Sequence, residues 1–326
     1  MTAGWRSSIT VEYWRTDHRG YLVFLMLLLL NVILYAPEPA RAQVVPVGNQ
    51  SVAVLNPSLL PFELEGALMA YALPTTPLEP GQLAIKLVPG YWTASGGEFD
   101  SHNLPSVDMS GLAIAGDIVY QLSPHWAIGA IASYSHSTSG TQSIVGLCSF
   151  PPNCQGGYSQ LLPVPGTVSG YSLFGTLIFD PFTGDNFRLP LMAGAGVLGT
   201  DSRASGTVTV QGHTLSASSK YSLASPAVSL GLAPQWNVWH FRMIPFGILA
   251  IGADHRQTSA SLTDLTTGAT STLTSPSGGH SHAEGVGLTI KYNPWNVGFT
   301  YVASNLFEGN KYPSISLFTL TFEKVW

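Results

Sequence analysis

His280-Ser281-His282-Ala283-Glu284 puts two imidazoles and a carboxylate at alternate positions. Alternate side chains of an extended chain share a face, so His280, His282 and Glu284 form a donor set of the kind that holds a metal. Against it, the run is a single one, and a flexible loop pays an ordering cost to hold a metal. Cys148 and Cys154, in CSFPPNC, are the two cysteines of the chain. In an exported protein so close a pair reads as a disulfide, whereas a zinc site would need a nearby His pair. Ser135-His136-Ser137 and Asp254-His255 carry the residue types of nucleophilic and acid–base catalysis. Adjacent strand positions point to opposite faces, so Ser135-His136-Ser137 reads as a polar rim and Asp254-His255 as a poor couple unless its strand has ended. No glycine-rich phosphate loop or nucleotide fingerprint occurs in a strand–helix setting, so no cofactor is expected and no catalytic residue is assigned.

These residues sit in a chain that alternates. From Gln82 onward ten segments read as strands: 83–94, 109–122, 126–137, 168–180, 187–200, 221–233, 239–254, 283–292, 295–304 and the terminal stretch. Leu83, Ile85, Leu87 and Tyr91 oppose Lys86. Leu112, Ile114, Ile118 and Tyr120 oppose Ala113, Ala115 and Asp117. Val286, Leu288, Ile290 and Tyr292 oppose Gly287, Thr289 and Lys291. A membrane barrel needs apolar side chains outside and polar ones inside. The seventh segment contains Pro245 and is apolar on both faces, so its register is least constrained.

On this alternation Lys86, Asp117, Lys291 and Glu323 point inward, and Arg188 and Arg242 lie near the inner ends of the fifth and seventh strands. Closure makes the first and last strands neighbours, so Lys86 can meet Glu323 as well as Asp117. Such charges serve either as a structural ion network filling a narrow barrel or as a selectivity ring.

Short connections alternate with the long ones at 95–108, 138–167, 201–220 and 255–282, as short inner turns alternate with outer loops in such barrels. Two long connections have strand character and predict hairpins turning near Gln211-Gly212 and Thr267-Gly268. Trp126, Phe179, Phe187, Trp236, Trp239, Tyr292, Trp295 and Trp326 collect beside the short turns, as an interfacial girdle does.

Composition agrees. Charged residues make up 10% of the 326 and hydrophobic ones 45%, against about 25% charged in an ordinary soluble chain. Arg6, Arg15 and Arg19 precede the apolar run 21–36, and Ala40-Arg41-Ala42 follows it, so residues 1–42 read as a signal peptide cleaved after Ala42. Its loss would leave 9 basic and 15 acidic residues, a balance that argues against nucleic acid as a partner. Residues 43–80 form a separate piece. Within it Pro61–Leu73 predicts a short helix, with Leu64, Leu68, Tyr71 and Ala72 near one face. This piece either packs at the periplasmic mouth or plugs the lumen.

The chain finishes PSISLFTLTFEKVW, with Phe318, Leu320, Phe322 and Trp326 on one face. This resembles the closing strand of bacterial outer-membrane β-barrels, which ends on Phe or Trp. Lys324 departs from the pattern, but a long side chain near the membrane edge can reach water. The resemblance implies an all-β, transmembrane antiparallel up-and-down barrel over residues 81–326. It also implies outer-membrane lipid and the barrel-assembly machinery as partners, with Phe318, Leu320, Phe322 and Trp326 as the assembly signal. The expected function is a narrow channel or passive transporter for small solutes, hydrophobic ones included. A barrel that binds through its outer loops is the alternative, and a hydrolase at the rim comes third.

Overall fold

The computed structural model describes residues 44–47, 50–54, 68, 75–98, 105–148, 158–184, 186–304 and 313–326. Its strands are β1 (Val44–Val47), β2 (Gln50–Val54), β3 (Leu83–Glu98), β4 (Pro105–Ser123), β5 (Trp126–Cys148), β6 (Tyr158–Phe179) and β7 (Phe187–Arg188). Then follow β8 (Leu191–Val210), β9 (His213–Leu232), β10 (Gln235–Val238), β11 (Phe241–Asp264), β12 (Thr270–Tyr292), β13 (Val297–Ser304) and β14 (Pro313–Val325). Ten of them, β3–β6, β8, β9 and β11–β14, pair antiparallel in chain order, and β14 returns to β3 to close the barrel. At the seam Leu83 N donates to Trp326 O at 3.1 Å and Trp326 N to Leu83 O at 2.9 Å.

The alternation sets the two faces. Leu112 and Leu173 are 59% and 63% exposed on the exterior, while Ala113 and Phe174, one position on, are buried inside. A belt of exposed aliphatics around the whole wall is far larger than a water-facing patch can be. A closed barrel also leaves no backbone group unpaired in lipid. The wall therefore spans a membrane, with Trp126, Trp236, Trp239, Trp295 and Trp326 exposed at the inner end.

The strands outrun the apolar pattern at their outer ends. β5 continues to Cys148 and β6 starts at Tyr158, so much of the expected loop 138–167 is wall. β8–β9 and β11–β12 form tall hairpins turning at the expected places, with positive φ at Gln211 (49°), Gly212 (82°) and Gly268 (73°). Two successive positive φ values are what a tight hairpin turn requires. These outer segments are Ser/Thr/Gly-rich and face water on the exterior, while Val210, Leu215, Ala217, Ala260 and Leu262 are buried on the other face. At the inner end, the expected strand from Phe187 is broken. Phe187–Arg188 pairs with β10 as a separate element, and β8 begins only after Pro190, which has no N–H for a ladder. Trp295 belongs to a 3-10 turn, Asn293–Trp295, rather than to the ninth barrel strand.

The interior is mixed: Ser133, Ser172, Thr176, Ser202, Thr289 and Thr300 are buried on the inward face as the alternation predicts, but large apolar side chains share it. Val88, Trp92, Ile131, Phe174, Leu198, Leu223, Phe246, Ile248 and Leu317 pack into one buried inward-facing cluster. A second cluster, with Ile144, Val145, Val164, Leu215 and Leu262, fills the raised outer end. A barrel this narrow is nearly filled by its own side chains, so its interior packs as a core.

Candidate functional site in the lumen

The inner end of the lumen carries charge. Lys86 and Asp117 are Cα partners across β3–β4, and Lys86 Nζ lies 2.7 Å from Asp117 Oδ2, both side chains being buried. Lys291 projects inward from β12, and its cross-strand partner on β13 is Gly298. With no side chain there, Lys291 Nζ passes over β13 and donates to Glu323 Oε2 on β14. Lys86 and Glu323 are themselves Cα partners across the β14–β3 seam. Among these inward charges the close ion pairs are Lys86–Asp117 and Lys291–Glu323. Burying ions in this way is favourable only when their remaining hydrogen-bonding capacity is met.

The N-terminal segment meets part of it. Thr75 Oγ1 donates to Glu323 Oε2 at 2.8 Å, and Thr76 Oγ1 bonds both Glu323 Oε2 and Lys291 Nζ. Arg242, the Cα partner of Lys291, donates from Nη1 to Thr75 O at 3.0 Å and from Nε to Asn237 Oδ1 at 2.9 Å. Thr75 is therefore held by an acid through its hydroxyl and by a base through its carbonyl. Arg188 lies outside this group. Its Nε is 2.6 Å from Asp180 Oδ2, and Leu189 N donates to Asp180 Oδ1 at 3.1 Å, so the pair braces the inner turn.

Two more points of the segment are fixed. Leu68 is fully buried within the lumen cluster. At the far end β2 hydrogen-bonds β5, with Val52 opposite Leu147 and Val54 opposite Val145, beyond the last β4 partner of β5 at Gln142. The β1–β2 hairpin also approaches β11 and β12 across the mouth. Mouth, lumen and floor are thus each touched by described residues of the N-terminal segment, at β1–β2, Leu68 and Thr75-Thr76. Of the predicted helix Pro61–Leu73, only Leu68 lies among the described residues, and it is helical.

The remaining sequence candidates fall elsewhere. His282 is exposed and Glu284 half-buried on the exterior of β12, on one face as the alternation requires. The side chain of His280 lies outside the described residues, among which no group of three metal ligands occurs. Cys154, the side chain of Cys148 and residues 1–42 also lie outside the described residues. His136 is exposed on the exterior and its Nδ1 is 2.8 Å from Ser169 Oγ on β6, while Ser135 and Ser137 are buried in the lumen. Phe318, Leu320 and Phe322 are exposed on the outer face of β14 and Trp326 just past its end, with Lys324 Nζ 4.8 Å from the Trp326 ring centroid.

The sequence reading missed Thr75, Thr76, Asp180 and a clasp between the tall hairpins. His213 Nδ1 lies 2.9 Å from Asp264 Oδ2, and Leu265 N donates to Thr214 O at 2.8 Å. Burial would raise the Asp264 carboxyl pKa. Hydrogen bonds from Thr267 Oγ1 and Thr266 N, and then His213, outweigh this and hold it well below the usual carboxylate range.

No family model and no curated protein matches the chain. Among solved structures, the chain is similar to the outer membrane protease OmpT from Escherichia coli at 12% identity, over 78% of this chain and 98% of that one, with a TM-score of 0.40. It is similar to the outer membrane protein OprG from Pseudomonas aeruginosa at 12% identity, over 76% and 97% of the two chains, with a TM-score of 0.32. The Ralstonia pickettii toluene transporter TbuX gives 10% identity, 80% and 93% coverage and a TM-score of 0.32. These are likenesses between barrels of the bacterial outer-membrane type and carry nothing about activity.

Proposed function

We propose that this chain is an exported outer-membrane barrel that acts as a narrow, normally closed passage for small apolar solutes. The observation that carries the reading is the apolar lumen cluster, which closes around Leu68 of the N-terminal segment. Within that cluster a desolvated ion or sugar finds little compensation, whereas a small hydrocarbon gives up no hydrogen bonds, and Ser133–Ser172 and Thr289–Thr300 are buried hydroxyls bonded to each other. In this reading residues 43–80 act as the plug. Thr75 and Thr76 anchor it on the charged floor, and passage requires the segment to shift.

The test is transport by the intact barrel in lipid vesicles and planar bilayers. The native protein should show small or rare ionic conductance and should accelerate entry of a small aromatic hydrocarbon over protein-free vesicles. Thr75→Val with Thr76→Val, which removes the hydroxyl ties to Glu323 and Lys291 and leaves only the backbone carbonyl of Thr75 on Arg242, should raise both. A large, steady native conductance would point to an open porin, and hydrocarbon entry at the protein-free rate in both forms would end the proposal.

The hairpins β8–β9 and β11–β12 favour a second reading, a barrel that binds at the surface. Their tips are joined through His213 and Asp264 and so present an ordered wall above the membrane.

A further inference from the structure

On the exterior of that raised wall two cations stand side by side. Arg203 on β8 and Lys220 on β9 are Cα partners, both exposed and both pointing outward. Neither has an ion-pair partner among the described residues. Like charges directly opposite on adjacent strands destabilise a hairpin. A carboxylate on this face, that of Asp201, lies two residues inward on β8 opposite Ser222. The next two strands continue the row with hydroxyls, since Lys220 faces Ser259 and Ser259 faces Thr274. One row further out, Ser218 Oγ and Ser261 Oγ bond at 2.8 Å. Together these side chains line a shallow, open depression on the wall. Two unpaired cations among hydroxyl donors suit an anion bearing several oxygens, phosphate above all.

Height above the membrane selects the source of the phosphate. Tyr134 and Tyr171 are Cα partners exposed on the exterior, in the position of an outer aromatic band. Tyr171 pairs with Gly199 on β8, and Arg203 lies four residues further out. At the usual rise and tilt of barrel strands this is about 10 Å above the band. A phospholipid headgroup layer is only about 5–7 Å deep, so its phosphates stay below this point. A larger sugar headgroup reaches it. We propose that Arg203 and Lys220 bind a phosphate on the sugar headgroup of an outer-leaflet glycolipid. The proposal rests on the outer-membrane placement above, with the tall hairpins outward. The bound phosphate offsets the repulsion that the pair otherwise imposes on the β8–β9 hairpin.

The intact barrel in neutral-detergent micelles should be titrated with three probes: a phosphorylated lipooligosaccharide, the same molecule dephosphorylated, and phosphatidylglycerol. Native protein should bind the first in preference to the other two. Arg203→Gln with Lys220→Gln should weaken that binding about thirty-fold, from the usual attraction of two basic residues to an anionic surface. Arg203→Lys with Lys220→Arg should retain most of it. Lys220→Glu should raise the unfolding temperature without ligand, by turning repulsion into attraction, and should abolish stabilisation by the phosphorylated probe. Equal binding by native and double-Gln proteins overturns the site. Equal binding of phosphatidylglycerol overturns the glycolipid assignment. Insertion of each variant into phosphatidylcholine vesicles is measured separately. Failure of the native chain to insert would remove the placement itself rather than the site.

Discussion

Lys86 and Glu323 stand directly opposite each other across the seam that closes the barrel, yet each forms its close ion pair elsewhere. Lys86 reaches across to Asp117 on β4, and Glu323 receives Lys291 over the gap at Gly298. The seam is therefore flanked by two ion pairs rather than bridged by one.

This division makes charge swaps selective. Glu323→Gln leaves Lys291 buried beside Arg242 without its acid, which should cost roughly 3 kcal/mol, the low end for breaking a buried pair. The swap Lys86→Glu with Glu323→Lys should do no better than that single change. It would set the new carboxylate against Asp117 and the new ammonium against Lys291. Lys291→Glu with Glu323→Lys should recover more, because it keeps that pair together. Urea unfolding in micelles followed by tryptophan fluorescence checks the order. Native stability in the Lys86/Glu323 swap would mean that these two residues share the main contact.

The barrel was legible because its lipid-facing residues alternate without a break in most strands. Ile114, Ile118 and Tyr120, or Val286, Leu288 and Ile290, can face only one way once the wall is closed. The outer ends were less legible, because Ser, Thr and Gly carry no contrast between faces when water lies on one side. The inward direction of Lys86, Asp117, Lys291 and Glu323 followed from the same alternation. Their pairing did not follow, since a lysine spans more than one strand and the bare backbone at Gly298 decides where Lys291 goes. Thr75 and Thr76 gave no pattern at all. The role of Thr75 arises from contacts with Arg242 and Glu323, 167 and 248 residues away in the chain.

Leu68 tests whether the lumen is closed by packing. It is fully buried among inward-facing wall residues. Leu68→Ala should destabilise the barrel by roughly 2–5 kcal/mol if the site cannot collapse. The same change should raise solute leakage through vesicle-embedded protein. A variant with native stability and native leakage would show that Leu68 neither packs the lumen nor blocks it.

The closing strand should govern assembly more than stability. Phe318 packs on Tyr301 of β13 with ring centroids 5.0 Å apart, and Trp326 is exposed to lipid beneath Lys324. Trp326→Asp places a charge at the membrane edge, where the equilibrium cost is only about 0–1 kcal/mol. A marked fall in heat-modifiable barrel recovered from outer membranes, with near-normal refolding in micelles, would therefore identify Trp326 as part of the signal read during assembly. Equal recovery of variant and native barrel would make the final aromatic incidental.

The clasp between the tall hairpins should be acid-sensitive, and its sign follows from Asp264. Its carboxyl is held below the ordinary range when folded, so the unfolded tip binds the proton more readily than the folded one. The stabilisation is then fully present above the unfolded carboxylate value of about 4 and is lost progressively as pH falls through the lower folded value. Protonation weakens the bonds from Thr267, Thr266 and His213 and frees the tip of β11–β12 from that of β8–β9. Hydrogen exchange at the Leu265 amide, which donates to Thr214 O across the clasp, reports the event. Protection relative to intrinsic exchange should hold from about pH 7 to 5 and fall below about pH 4. In Asp264→Asn it should be lower throughout and change little with pH, whereas protection at the membrane-level strands stays as in the native barrel. An Asp264→Asn variant that kept the native pH profile would place the sensitivity on another group.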